Sequence, residues 1–200
     1  LLDGSAAGWV DAITRAGVVH LPTQHDASPW GAVLRKPLYV EEPGSWLVAI
    51  PTDTPRLTVG IDFPSHAPIG RQWATWTPAD GSIVSCDRDH CDTANDFAVQ
   101  VAPARTFTTH DQIEGLRAAG LIKGGSLDNA LVCNAVHWLN GPLRFTNEPA
   151  RHKLLDLLGD LALLGKLPHA HVVAFRASHR LHVRLAQAIE RQDDLEIEAS

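Results

Sequence analysis

The ten residues Arg151-His152-Lys153-Leu154-Leu155-Asp156-Leu157-Leu158-Gly159-Asp160 set both the fold and the chemistry of this chain. His152 and Asp156 are four positions apart and Asp160 is four further on, so in a helix the three side chains rise from adjacent turns. One face then offers an imidazole and two carboxylates. Leu154, Leu155, Leu158 and Leu161 are expected to bury the other side. Asn147, Glu148 and Pro149 supply start signals, and Gly165 followed by Pro168 supplies the stop. Neutral imidazole and carboxylate both ligate zinc, and a helical pair at this spacing can chelate one ion. The same spacing also suits a hydrogen-bonded pair at a helix surface. The motif alone leaves both open.

Working outward, the organisation is α+β. Residues 5–16 read as a capped helix ending at Gly17, and 23–28 as a polar linker. Strand signals follow at 32–40, 46–50 and 57–63, separated by Pro43-Gly44 and by the Pro51 to Pro55 stretch. A helix over 93–101 leads to Arg105-Thr106-Phe107, and 112–119 form a short helix. Residues 121–123 and 130–136 read as strands. Residues 171–177 form a strand that delivers His179 at its end, and 181–189 a closing helix. With 44% hydrophobic and 20% charged residues, the 200-residue chain can bury a real core. A net charge of −6 argues against a general nucleic-acid binder. No apolar run reaches the ~20 residues of a membrane span.

From Arg144-Phe145 through Glu148, and on through Arg151 to Asp156 and Gly159-Asp160-Leu161, the chain closely resembles the zinc-dependent UDP-3-O-acyl-N-acetylglucosamine deacetylases of lipid A synthesis. Further blocks follow in the family's order. These are Leu2-Asp3-Gly4-Ser5-Ala6-Ala7, Ala104-Arg105-Thr106-Phe107, Gly115-Leu116 with Gly120-Leu121, Lys123-Gly124-Gly125-Ser126-Leu127-Asp128-Asn129-Ala130, and Ser178-His179 with Leu181. The resemblance implies a two-layer α/β sandwich domain with a small βαβ insert, plus a helix remaining from a similar first domain. Residues 1–24 would end that first domain and 25–200 form the second, with an insertion at 74–93 and an acyl-binding insert at about 116–145.

It also implies roles. His152 and Asp156 match two of three protein ligands of a Zn2+ ion. Asp160 matches the carboxylate that orients the catalytic histidine, His179, which stabilises the oxyanion and serves the leaving amine. Thr106 matches a hydroxyl that helps hold the tetrahedral intermediate. Phe107 and Lys153 match substrate contacts, and Leu121 and Leu127, with Ile122, Ala130 and Val132, would line the passage for the hydroxyacyl chain, core packing being the other reading for these apolar residues. The anionic sugar nucleotide would be met locally by Lys153, Arg151 and Arg105. A cytoplasmic, monomeric enzyme is implied.

One element of the family pattern is missing. The third zinc ligand is a histidine directly after a glutamate base, ahead of the Asp-Gly-Ser segment, and no Glu-His pair occurs in these residues. Asp89-His90 sits in a polar stretch and does not replace it. The start at leucine and the lack of methionine predict the later part of a longer protein, to which the activity belongs. The alternative is an incomplete remnant that binds sugar nucleotide or a partner. Cys86 and Cys91 flank His90 and read as a variable loop, with a metal knuckle or a surface disulfide as rivals, while Cys133 lies in an apolar strand. His169, His171 and His182 lie near His179 in sequence but in several directions. His20, His25, His66, His110 and His137 read as surface or packing residues.

Overall fold

The computed structural model describes residues 2–17, 30–66, 68–77, 82–87, 90–92 and 97–197. The expected linker at 23–28, His20, His25, Asp89 and the first part of the 93–101 helix lie outside them. Fifteen elements follow in order. They are α1 (Ala7–Ala16), β1 (Trp30–Val33), β2 (Leu38–Glu42), β3 (Ser45–Pro51), β4 (Arg56–Phe63), β5 (Gly70–Thr77), β6 (Ser82–Asp87), β7 (His90–Asp92), α2 (Phe97–Gln100), β8 (Phe107–Thr109), α3 (Ile113–Ala118), β9 (Leu131–Cys133), α4 (Glu148–Leu161), β10 (Leu167–Phe175) and α5 (His179–Ile197). Short 3-10 turns precede α3 and follow α4.

The main sheet runs β2-β3-β10-β4-β5-β6-β7, with β1 paired to the start of β10. β10 is antiparallel to β3 and parallel to β4, so it sits between two strands that are neighbours in the chain. Period-two alternation sends Leu47 and Ala49 of β3, Leu57, Val59 and Ile61 of β4, Ala74 and Trp76 of β5, and Ala170, Val172 and Ala174 of β10 into one core. Leu154, Leu157 and Leu161 of α4 and Leu181, Leu185 and Ile189 of α5 close over that face, α4 on β4 and β5, α5 on β2 and β3. Sheet and helices make the two layers of the expected α+β sandwich. On the opposite face Trp46, Phe175 and Trp73 form a row of rings, with centroids 6.0 and 5.7 Å apart.

Several boundaries differ from the sequence reading. Residues 32–40 are two strands, broken at Leu34 to Pro37. Within the span read as an insertion, 74–93, residues 74–76 pair with β4 as the end of β5, and β6 and β7 extend the sheet with Cys86 opposite Cys91 in register. The βαβ insert is present, but its first strand is β8, parallel to β9, rather than residues 121–123, where Ile122 takes a left-handed φ of 48°. The inward stripe of α4 is Ala150, Leu154, Leu157 and Leu161, with Leu155 and Leu158 only half-buried on its flank. His179 begins α5 instead of ending a strand. α1 buries none of its residues.

Two latches fix α4. Its first residue, Glu148, is fully buried, and its carboxylate accepts hydrogen bonds from Arg105 N (3.0 Å), Nε (2.8 Å) and Nη2 (3.1 Å) and from Arg144 N (2.6 Å). Arg144 in turn reaches Asp3 and the Pro103 carbonyl. The Asp-Gly-Ser segment closes on the same loop, Ala6 N donating to Ala102 O and Thr106 N to Gly4 O, both at 2.8 Å. Gly4 has φ 80°, and a Cβ there would fall 2.2 Å from the Asn129 carbonyl oxygen, so only glycine lets the backbones approach. Removing one partner of a buried ion pair strands the other charge, so Glu148→Ala should cost about 3–5 kcal/mol. A urea titration reads this as a lowered midpoint, whereas Arg180→Ala, at the exposed Arg180–Glu42 pair, should leave the midpoint almost unchanged.

Candidate active site

α4 carries three of the four central groups. The loop before β8 covers the helix face that bears His152, whose Nδ1–H donates to the Ala104 carbonyl at 3.0 Å. A carbonyl only accepts, so the proton sits on Nδ1 and the Nε2 lone pair is free. That Nε2 lies 3.5 Å from Asp156 Oδ1. Burial drives His152 below its usual range and keeps it neutral. Asp156 is held below the usual carboxylate range: burial opposes its charge, and the Lys153 ammonium that donates to it helps to outweigh burial. Lys153 Nζ donates to Asp156 Oδ2 at 2.9 Å, leaving Oδ1 turned toward His152. A neutral ring nitrogen with its other nitrogen anchored, beside an ionised carboxylate oxygen, is a donor set that fits a divalent metal.

The second half comes from α5. His179 Nδ1 and His182 Nδ1 each lie 2.7 Å from the same oxygen, Asp160 Oδ2. The Nε2 of His179 lies 3.9 Å from Asp156 Oδ2, so this ring faces the Asp156 carboxylate, and its side chain is 64% exposed. The ligand atoms of Asp160, His179 and His182 fall within 4.8 Å of one another, a grouping that in principle suits an ion. Two ring nitrogens at 2.7 Å from one carboxylate oxygen are instead hydrogen-bond donors, and a protonated nitrogen is no ligand.

Around these groups the expected contacts fall unevenly. Lys153 Nζ stands 5.8 Å over the Phe107 ring. Thr106, directly before β8, is pinned through its backbone to Gly4 and Leu131, and its hydroxyl bonds none of the four central side chains. A cavity of about 450 Å³ opens beside Lys153, with Phe63, His66, Gln112 and Arg176 on its walls. Arg151 does not serve it. It is buried, with Nε on Asn147 and Nη1 on Gln100, and its guanidinium stacks on Phe145. Arg105 is likewise consumed by Glu148. The cations on this cavity are Lys153 and Arg176. A second cavity, about 120 Å³ and mostly apolar, lies inside the insert between Ile113, Ile122, Leu127, Ala130 and Val132. Leu127 lines it, while Leu121 is exposed and is not among its walls.

His182 is the residue that sequence reasoning undervalued. It is 2% exposed, three residues after His179 on one helix face. The signal was Ser178, whose Oγ accepts from the Leu181 N–H at 3.3 Å and so caps the helix at its true start. His171 is on the other face of the sheet, its Nε2 2.9 Å from Thr58 Oγ1. His66 meets Asp111 at 3.0 Å. Cys133 is a buried free thiol. Among the described residues, no helix is long and apolar enough to cross a membrane.

Comparison with known proteins places this geometry. The family described as LpxC, UDP-3-O-acyl N-acetylglycosamine deacetylase, matches residues 1–191. A UDP-3-O-acyl-N-acetylglucosamine deacetylase of Synechocystis is 51% identical over 189 residues, 94% of this chain and 62% of the relative. The corresponding Thermosynechococcus vestitus protein is 50% identical over 192 residues, covering 96% and 60%. An Arabidopsis thaliana protein named as a probable mitochondrial deacetylase of this type is 44% identical, covering 94% and 56%. The mitochondrial name stands apart from the cytoplasmic setting expected above. The chain spans about three fifths of the length of these curated relatives. With the family match running over nearly every residue, the chain belongs to the UDP-3-O-acyl N-acetylglycosamine deacetylase family.

Proposed function

We propose that this chain supplies the second half of a zinc-dependent amidase site that removes the N-acetyl group of UDP-3-O-(3-hydroxyacyl)-N-acetylglucosamine in lipid A biosynthesis. The observation that carries this reading is the meeting of two pairs, His152 with Asp156 and His179 with Asp160, around one point on α4. The names of the relatives support the same substrate.

His152 Nε2 and Asp156 Oδ1 are the ligand atoms. The third ligand and the glutamate base come, in this reading, from a segment outside these residues. Bound there, the ion would lower the pKa of a water to about 7 and polarise the amide carbonyl. Ala104 holds the His152 ring by its Nδ1, so the ligand nitrogen is presented without a rotamer search. Asp160 holds His179 by Nδ1 and leaves Nε2 turned toward Asp156, where a cationic ring would stabilise an oxyanion and then give its Nε2 proton to the departing amine. Thr106, just before β8, is the further hydroxyl assigned to the tetrahedral intermediate. Lys153 and Phe107 bind on the nucleotide-bearing side, where Lys153 and Arg176 supply the positive charge. Leu127, and the exposed Leu121, accompany the acyl chain. A cytoplasmic monomer suits this chemistry.

In the full-length protein, His152→Ala or Asp156→Ala should strip most bound zinc, read by metal analysis after dialysis. Native zinc content in both variants sinks the ligand assignment. His179→Ala should keep its zinc and lose turnover by ~100-fold or more, since general-acid and oxyanion contributions are of that size. Unchanged turnover makes His179 structural. Sugar-nucleotide binding with no acetate release from the native protein overturns the enzymatic reading.

A further inference from the structure

We propose that His182 is a positioning residue for His179, acting through the carboxylate that the two rings share. The inference rests on the deacetylase reading, and it begins with an asymmetry between the two rings.

His179 opens α5 and has a largely exposed side chain, so its own packing does little to fix it. His182, one turn on, has a side chain 3% exposed against α4. Both Nδ1 atoms lie 2.7 Å from Asp160 Oδ2, and among the described residues these are the hydrogen bonds that the Asp160 carboxylate makes. The rings stand edge to face, with centroids 5.9 Å apart and planes at 77°. A carboxylate only accepts, so each Nδ1 carries its proton, and each ring's Nε2 is the unshared nitrogen. Burial favours the neutral form of His182, partly offset by Asp160, and a neutral ring still donates from Nδ1.

Asp160 stands on the last full turn of α4, where its side chain has rotamers to choose from. The buried ring removes that choice. With Oδ2 held from below by His182, the direction from which His179 is gripped is fixed, and with it the direction of His179 Nε2 toward Asp156. His182 touches neither substrate nor reacting atoms in this arrangement. Losing such an outer partner typically costs about 10–100-fold in activity.

Two substitutions separate positioning from packing. His182→Phe keeps the ring's bulk and removes the donor. His182→Asn removes bulk but places an amide N–H near the position of Nδ1. In the full-length protein, the Phe variant should keep its zinc and its KM to within about threefold and lose kcat by about 10-fold or more. The Asn variant, though less stable to heat, should recover kcat to within about threefold of native. A merely structural residue gives the reverse order, with turnover following thermal stability; that result, or native kcat in the Phe variant, overturns the proposal. Proton NMR of the ring N–H groups gives a readout independent of turnover. A downfield His179 Nδ1–H is expected in the native protein, should be lost to exchange in the Phe variant and should return in the Asn variant. If the native protein shows no deacetylation, the reading of function fails, and the NMR comparison still decides whether His182 orders His179. An unchanged His179 signal in the Phe variant refutes it.

Discussion

The fully buried Glu148 carboxylate is the constraint on which the rest of the site depends. It collects three donors from Arg105, 43 residues away in sequence, and one from Arg144, four residues before it. Four hydrogen bonds satisfy nearly all of a carboxylate's accepting capacity, which is what makes full burial tolerable. The same loop that supplies Arg105 supplies the Ala104 carbonyl, and that carbonyl holds His152 exactly one helical turn after Glu148. Helix and loop are therefore stitched twice at the spacing of i and i+4. Because the stitch lies at the helix's first turn, it sets the rotation of α4 about its axis, and every group further along that face inherits the setting.

Down that face the chemistry changes in order. His152 is buried and neutral, Asp156 is charged and partly covered, and Asp160 is shared between two rings of the neighbouring helix. The gradient runs from a dry, anchored ring to an open one. Each polar group is assigned a partner that allows one proton arrangement only: a carbonyl for His152, an ammonium for Asp156, a carboxylate for His179 and His182. Such unambiguous partners keep a site ready for reaction without reorganisation. The two cavities leave the centre in different chemical characters, one beside Lys153 and Arg176, the other apolar within the βαβ insert.

The helix that carries the site was legible because its leucines, its Pro149 start and its Gly165 stop all act within a few residues of one another. The shared face of His152, Asp156 and Asp160 was legible for the same reason, being fixed by helical spacing. β8 was not, since three residues of Phe-Thr-Thr give no alternation to read, and the apolar pair Leu121-Ile122 drew the strand to itself although Ile122 adopts a left-handed turn. Short apolar runs carry no period. Starting α5 two residues late hid the relation between His179 and His182, which a serine cap at Ser178 reveals. Arg105 and Arg151 were assigned to substrate by charge alone, whereas their distant partners, Glu148 and Gln100, are decided by the tertiary fold. Sequence shows which residues are charged, not which charges are already taken.

The position of β10 also governs how this chain comes together. β3 and β4 are separated by only a short turn in the chain, yet they never pair, because the gap between them is filled by a strand made more than a hundred residues later. Until that strand arrives, the chain holds two half-sheets with raw inner edges, each inviting the wrong neighbour. Assembly by such distant pairings is slow and leaves those edges open while it waits. On a ribosome, the half-sheets must remain apart until β10 has emerged, and α5, the carrier of His179 and His182, follows immediately behind it. Closure of the sheet and the meeting of His179 and His182 with Asp160 are thus the same late event in the life of the nascent chain.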